Sequence, residues 1–405
     1  MSYRALWRNR NFRLLFTASI GTNMGDGVLA VALPWFATLL TRDPFLIGLV
    51  AMARALPWLI FGLPMGVITD RHDRRRLILF ADGLRLILVL ALGLLALVAV
   101  PGTGAVLSLA GLALLLGSAE VLRDNTAQSV LPLVVEPDQL ERANGQMWSA
   151  EELTGRFIGP PLAGLLIGLS LATSFGFFSA MMLISLIFVT MLRLKPAPPP
   201  PDSAFVDALK EGLRYLFSRP ELRRLAMVLG LFNFLYYMTV AVLVLYAQDI
   251  LGLGALGYGA LLSGQALGGL LGSLLGPGLI IRLGTRRSLL VGMSGFVLTC
   301  AAMALGAPLW VIAPLFIAEG LTSMLWNIVT VSYRQRTIPA EMFGRVNSAY
   351  RFFGSGMMPL GALAGGTLVS VAATIGPASL QLPFGLAAIG GLGMILYSAR
   401  YLRIS

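Results

Sequence analysis

Cysteine and histidine are almost absent from this 405-residue chain: Cys300 is its one thiol and His72 its one imidazole. That excludes a disulfide framework and any Cys/His cluster, so no metal site is expected. Charge is scarce as well. Asp, Glu, Lys and Arg make up 12% of the residues, where a soluble globular chain carries about a quarter. Acids are the rarer sign, 19 against 30 bases, leaving a net charge of +11. The polar alternation of an outer-membrane barrel is missing, and so is any nucleotide-binding motif. The glycine-rich run from Gly264 to Gly278 lacks the Gly-Lys-Ser/Thr of a phosphate loop and lies within an apolar segment. Its glycines read as close-packing sites, and no cofactor is expected.

What the chain has in abundance is hydrocarbon: 57% of its residues are hydrophobic. Apolar segments of helical length fall at about 12–40, 45–69, 77–100, 104–123, 143–169 and 173–193, then at 222–250, 255–281, 288–306, 309–333, 346–371 and 379–399. The fold class is an all-α membrane protein of twelve transmembrane helices in two pseudo-symmetric six-helix bundles. Every Lys and Arg outside the spans, Arg42 excepted, falls on one side if the N-terminus is cytoplasmic. The positive-inside rule then puts both termini in the cytoplasm and the chain in the inner membrane. The basic excess is thus an orientation signal, and nucleic acid is not a partner.

The expected domains are residues 1–193, a linker at 194–221, and residues 222–405. The linker holds the stiff run Lys195-Pro196-Ala197-Pro198-Pro199-Pro200-Pro201-Asp202. After Ser203, Phe205, Leu209, Leu213, Leu216 and Phe217 form one apolar stripe, predicting a helix on the cytoplasmic membrane surface. The halves repeat. The loop Gly66-Val67-Ile68-Thr69-Asp70-Arg71-His72-Asp73-Arg74-Arg75-Arg76 has a worn copy from Gly278 to Arg287, and Asn23 corresponds to Asn233 and Asp26 to Tyr236. Parallel repeats of six spans belong to transporters.

The first loop resembles the G-x-x-x-D-R-x-G-R-R signature of the major facilitator superfamily, with Asp73 replacing a glycine. The resemblance implies that Gly66, Asp70, Arg71, Arg74 and Arg75 form a conformational latch between helix ends. In the second loop Arg282 replaces the aspartate, implying a lost switch. Arg8-Asn9-Arg10-Asn11-Phe12-Arg13, Gly25-Asp26 and Leu140-Glu141-Arg142-Ala143-Asn144-Gly145 look like the subgroup of enterobactin exporters, macrolide efflux proteins and lysophospholipid transporters. Gly155, Gly159, Pro160 and Gly164 resemble the signature of proton-coupled exporters, with Ala163 in place of one glycine. The same residues also suit plain helix packing.

Charges inside spans are the candidates for coupling. Asp26 and Arg54 lie about 21 and 22 Å from the cytoplasmic ends of adjacent antiparallel helices, at about 1.5 Å per residue. They are expected to pair, either as a proton site or as a permanent ion pair. Glu151 has Arg123 of span four as one available partner, which would leave Glu152 to Arg156, a choice the sequence leaves open, and only one of the two acids is expected to face a cavity. Asp82 and Arg85 read as a structural pair. Glu319 lies near mid-depth with no basic neighbour in its own helix and is a second proton candidate. Asn23, Asn233, Tyr236, Tyr237, Gln265, Trp326 and Asn327 supply an amphiphilic substrate cavity, with Arg351 facing a cavity carboxylate or an anionic substrate.

The expected protein is a secondary transporter and not an enzyme. It exports a small hydrophobic or amphiphilic substrate, such as a drug or siderophore, against protons by alternating access at a site between the halves. A lysophospholipid transporter not driven by protons is the alternative. Its surroundings are the lipid bilayer, and it is expected to be a monomer.

Overall fold

In the computed structural model the structure describes residues 3–62, 64–194 and 205–402. The run Lys195–Asp202 and the cap expected of Ser203 lie outside the described residues, as do the side chains of Gly66, Asp70, Phe205 and Leu209. The described residues are helical, without strands.

Span one is Arg10–Leu40, span two Pro44–Phe61 and Pro64–Arg71, span three Arg74–Val98, span four Thr103–Val134 and span six Leu171–Thr190. Spans seven to twelve are Pro220–Asp249, Ala255–Leu283, Thr285–Ala304, Leu309–Thr337, Ala340–Val371 and Leu382–Tyr401. Among the described residues, eleven helices are long and apolar enough to cross a membrane. Span five supplies the twelfth crossing. It runs unbroken through Leu140–Ala150, Glu151–Ile158 and Gly159–Leu169, and its middle part is a π-helix. The Gly159 N–H bonds Thr154 O, five residues back. Pro160 and Pro161 follow directly and donate nothing to the preceding turn, which is why the helix widens there.

Local chemistry sets the helix ends. Asn9 accepts from the Phe12 N–H at 3.1 Å and its amide donates to Val134 O at 2.6 Å, so one side chain caps span one and ties it to the end of span four. Asn11 donates to Arg193 O at 2.8 Å, binding the end of span six. Phe12 is fully buried against Trp7 and Phe16. The Arg-Asn-Arg-Asn-Phe-Arg stretch is thus a clamp on three helix ends. Asp73 accepts from the Arg76 N–H at 3.1 Å and caps span three, which accounts for an aspartate where the loop signature has glycine. Gly284 turns the chain between spans eight and nine at φ 79°, a conformation that strains any residue with a Cβ.

The helices form two compact units: Met1–Thr41, Ala53–Asp202 and Ala255–Ala260 in one, and Arg42–Met52, Ser203–Gly254 and Leu261–Ser405 in the other. Within the first, span one packs on five and six, and span three on four and six. Within the second, span seven packs on eleven and twelve, and span nine on ten and twelve. The second set of pairings is the first moved on by six spans, so the internal repeat is structural.

The amphipathic helix Phe205–Ser218 packs on span eleven. Gly212 presses on the Arg345 backbone, Glu211 pairs with Arg345, Tyr215 donates to Thr337 O at 3.4 Å, and the Phe217 and Phe353 rings meet edge to face at 5.4 Å. Gly212, with no side chain, lets the helix backbone approach span eleven closely.

Candidate functional site

In the first unit, span one brings Asp26 inward between Gly25 and Gly27. A Cβ on Gly25 would strike the Phe178 ring, and one on Gly27 would strike the backbones of Gly155 and Gly159. Spans one and five therefore touch backbone to backbone one residue from the carboxylate. Asp26 accepts from Arg85 Nη2, not from Arg54. The Arg85 side chain is fully buried, its guanidinium 5.6 Å from the Phe178 ring centre, and its Nε and Nη1 find no hydrogen-bond partner among the described residues. Arg54 pairs instead with Glu120 of span four. Close packing causes this exchange, because Gly117 lets span four press directly on the Arg54 carbonyl and carries Glu120, one turn further, to the guanidinium.

Asp82, freed from Arg85, accepts from Ser185 Oγ at 2.7 Å and lies 3.8 Å from Arg123 Nε. Arg123 also lies 3.6 Å from Asp124 and donates to Ser19 Oγ at 3.4 Å. It is 5% exposed and lies inside span four, not at the end of that span where the apolar run expected to finish at 123 would put it. Of the two glutamates of span five, Glu152 has its expected partner and Glu151 has Arg156 in place of Arg123. Arg156 reaches both Glu152, at 3.3 Å, and Glu151, at 3.9 Å, while Arg123 does not take Glu151. A π-helical turn puts residues five apart on one face, so both acids reach the same guanidinium. Glu152 is buried and Glu151 half exposed.

Sequence reasoning missed Glu120 and Asp124. The apolar run was read as ending at 123, yet the helix continues to Val134. The signal was the apolar stretch Val130, Leu131, Leu133, Val134 beyond the charges, which marks Glu120 to Asp124 as interior to one long helix.

In the latch, Arg75 donates to Val189 O and Thr190 O, the last carbonyls of span six. Arg74 is half-buried and Arg71 exposed. Arg286 in the second loop donates to Ala399 O near the end of span twelve. The worn copy keeps the helix-end contact although Arg282 has replaced the aspartate.

The second unit holds a separate polar chain. Tyr236 donates to Gln265 Oε1 at 3.2 Å, and Gln265 Nε2 donates to Glu319 at 2.8 Å, linking spans seven, eight and ten. Glu319 is 5% exposed. Gly268 and Gly320 bring the backbones of spans eight and ten into direct contact, which delivers Gln265 to the acid. Tyr236 stacks on Phe232 and meets Tyr237 edge on. Asn233 donates to Gly354 O at 2.9 Å and so serves helix packing between spans seven and eleven. The Trp326 backbone presses on Gly292, Asn327 and Arg351 are exposed, and Asn23 offers its carbonyl edge to Gly155. Gly164 packs against Ala255 and Leu256.

A profile of the family described as "Transmembrane secretion effector" matches residues 1–397. The chain belongs to that family, within the major facilitator superfamily. This transporter is 27% identical to the enterobactin exporter EntS of Escherichia coli (strain K12), over 97% of its own length and 93% of the relative's. It is 27% identical to EntS of Shigella boydii serotype 4 (strain Sb227), over 95% and 91% of the two chains. Its fold is similar to that of the nucleoside transporter NupG, with a TM-score of 0.77, 14% identity and coverage of 98% of this chain and 100% of that one. A bacterial homologue of the lysosomal transporter Spinster gives a TM-score of 0.71 at 14% identity, covering 98% and 95%. The transporter is accordingly a multi-pass membrane protein of the major facilitator fold.

Proposed function

We propose that this transporter exports a small amphiphilic molecule across the inner membrane, with both termini in the cytoplasm, in exchange for protons bound at Asp26 and Glu319. The observation that carries the reading is the position of the Asp26–Arg85 pair beside the glycine contact of spans one and five. Protonating Asp26 removes half of a buried ion pair and leaves Arg85, which cannot shed its charge, to find other acceptors. Such a change falls where Gly27 meets Gly155 and Gly159, so the charge state of one carboxylate bears on how two helices cross. That is the form of coupling a proton exchanger needs: proton and substrate each favour a different state of the same element. The likeness to enterobactin exporters supports export. The Phe232, Tyr236 and Tyr237 rings, joined to Glu319 by way of Tyr236 and Gln265, suit an amphiphilic molecule.

The test is transport in proteoliposomes with and without an imposed pH gradient, using a fluorescent hydrophobic cation, a catecholate siderophore and a lysophospholipid as substrates. Gradient-driven movement that disappears in Asp26→Asn, with the variant still folded in the membrane, is the expected result. Lysophospholipid movement that ignores the gradient would instead make this a lipid transporter and Asp26–Arg85 a structural pair.

A further inference from the structure

Where the first turn of span seven meets the last turns of span twelve, the second unit has a cavity of about 500 Å³ lined by Phe217, Arg223, Arg224, Met227, Tyr397 and Tyr401. We propose that it binds the phosphate headgroup of an anionic phospholipid from the surrounding leaflet.

Three observations meet there. The first is a cation without an internal partner. Arg223 is half-buried, yet its guanidinium makes no hydrogen bond or ion pair among the described residues. Beside it, Arg224 donates from Nη1 to Tyr401 O at 2.7 Å and lies 4.0 Å from Glu221. That use holds the guanidinium in place and leaves its remaining donors open, since an arginine carries five. The second is the charge of the surroundings. Arg400 lies over the Tyr401 ring at 5.5 Å, and Arg286 bonds Ala399 O one turn away. Among the described residues, Glu221 is the carboxylate paired with this cluster, 4.0 Å from Arg224. An orthophosphate diester fits two adjacent guanidinium groups, because each presents parallel N–H donors to its oxygens.

The third observation selects a lipid over a free anion. The cavity wall is continuous with exposed apolar side chains: Met227 is 54% exposed, Leu231 43% and Phe217 42%. Tyr397 and Tyr401 pack ring to ring at 5.0 Å, and the Arg224 guanidinium lies 5.9 Å from the Tyr401 ring centre. Aromatic rings at this depth mark the boundary between headgroup and hydrocarbon, and basic recesses between membrane helices suit anionic headgroups. A phosphate held by the arginines would lay its acyl chains along Met227 and Leu231. Free phosphate would gain nothing from that wall.

The experiment is native mass spectrometry of the full-length protein released from detergent, titrated separately with phosphatidylglycerol, phosphatidylethanolamine and inorganic phosphate. Thermal melts with each addition run alongside. Phosphatidylglycerol is expected to remain bound and to raise the melting temperature. In Arg223→Gln its retention should fall roughly tenfold, the effect of losing one charge-assisted contact. Arg223 makes no side-chain hydrogen bond or ion pair among the described residues, so this variant is expected to keep the native fold, which the melt without lipid checks. Arg282→Gln, which removes an exposed charge elsewhere, should bind as the parent does. Equal retention in Arg223→Gln, or an equal loss in Arg282→Gln, would overturn the site in favour of diffuse attraction. Displacement of the lipid by an equal concentration of inorganic phosphate would overturn the lipid as its occupant.

Discussion

Arg85 is the residue on which the first unit turns. It is fully buried, it carries a charge it cannot lose, and among the described residues Asp26 alone accepts from it. Asp26→Leu removes that acceptor and should cost about 3–5 kcal/mol, the usual effect of breaking a buried pair from one side. Asp26→Asn keeps an oxygen for Arg85 and should cost far less while still abolishing gradient-driven transport. Unfolding of the two variants in detergent checks the order. Glu319→Gln is milder still, because a glutamine oxygen accepts from Gln265 as the carboxylate does. It should melt with the parent protein and lose proton coupling, read as gradient-independent flux in proteoliposomes. These residues were legible as candidates because a charge inside an apolar run is costly and stands out. Their partners were not legible. Asp26 and Arg54 lie at matching depth, but depth leaves open which way each side chain faces around its helix.

At the scale of elements, glycines decide the contacts. Gly27 meets Gly155 and Gly159 with no space for a methyl group. Gly27→Ala should therefore force spans one and five apart, at the 1–3 kcal/mol typical of overpacking, and should lower transport with it. Gly168→Ala, next to the end of span five, meets nothing within 4 Å and should be neutral or slightly stabilising, because it lowers the freedom of the unfolded chain without a clash. Comparing the two by thermal melt and by flux separates packing from helix propensity. The motif around Gly159 and Pro160 could be read in the sequence as a place of close approach. The π-helical turn could not, because its register depends on where Pro160 and Pro161 fall relative to the span-one contact. The same limit explains the helix Phe205–Ser218: its stripe was visible, while its seat on span eleven depends on Gly212 meeting Arg345.

For the whole molecule, the asymmetry of Lys and Arg argues that Arg42 faces outward and His72 inward. Cys300 is the sole cysteine and is buried, so a background of Cys300→Ser offers no other thiol. In that background a membrane-impermeant maleimide, applied to intact cells with a removable outer membrane, should label Arg42→Cys and spare His72→Cys. Labelling of His72→Cys alone would reverse the topology.

Composition and spacing by themselves determined the architecture. Twelve apolar runs have one economical solution in lipid, since a helix satisfies its own backbone hydrogen bonds, and a repeated loop marks a repeated bundle. They also marked which side chains carry the chemistry, because so few charges lie within the runs. The tertiary structure decided the pairings: Asp26 to Arg85, Arg54 to Glu120, Asp82 to Ser185 and Arg123, and Glu319 to Gln265. Each of them joins different helices, and a partner across a helix–helix contact is chosen by rotation and close approach, which small residues on the neighbouring helix control. Hydropathy along the chain carries no record of that rotation.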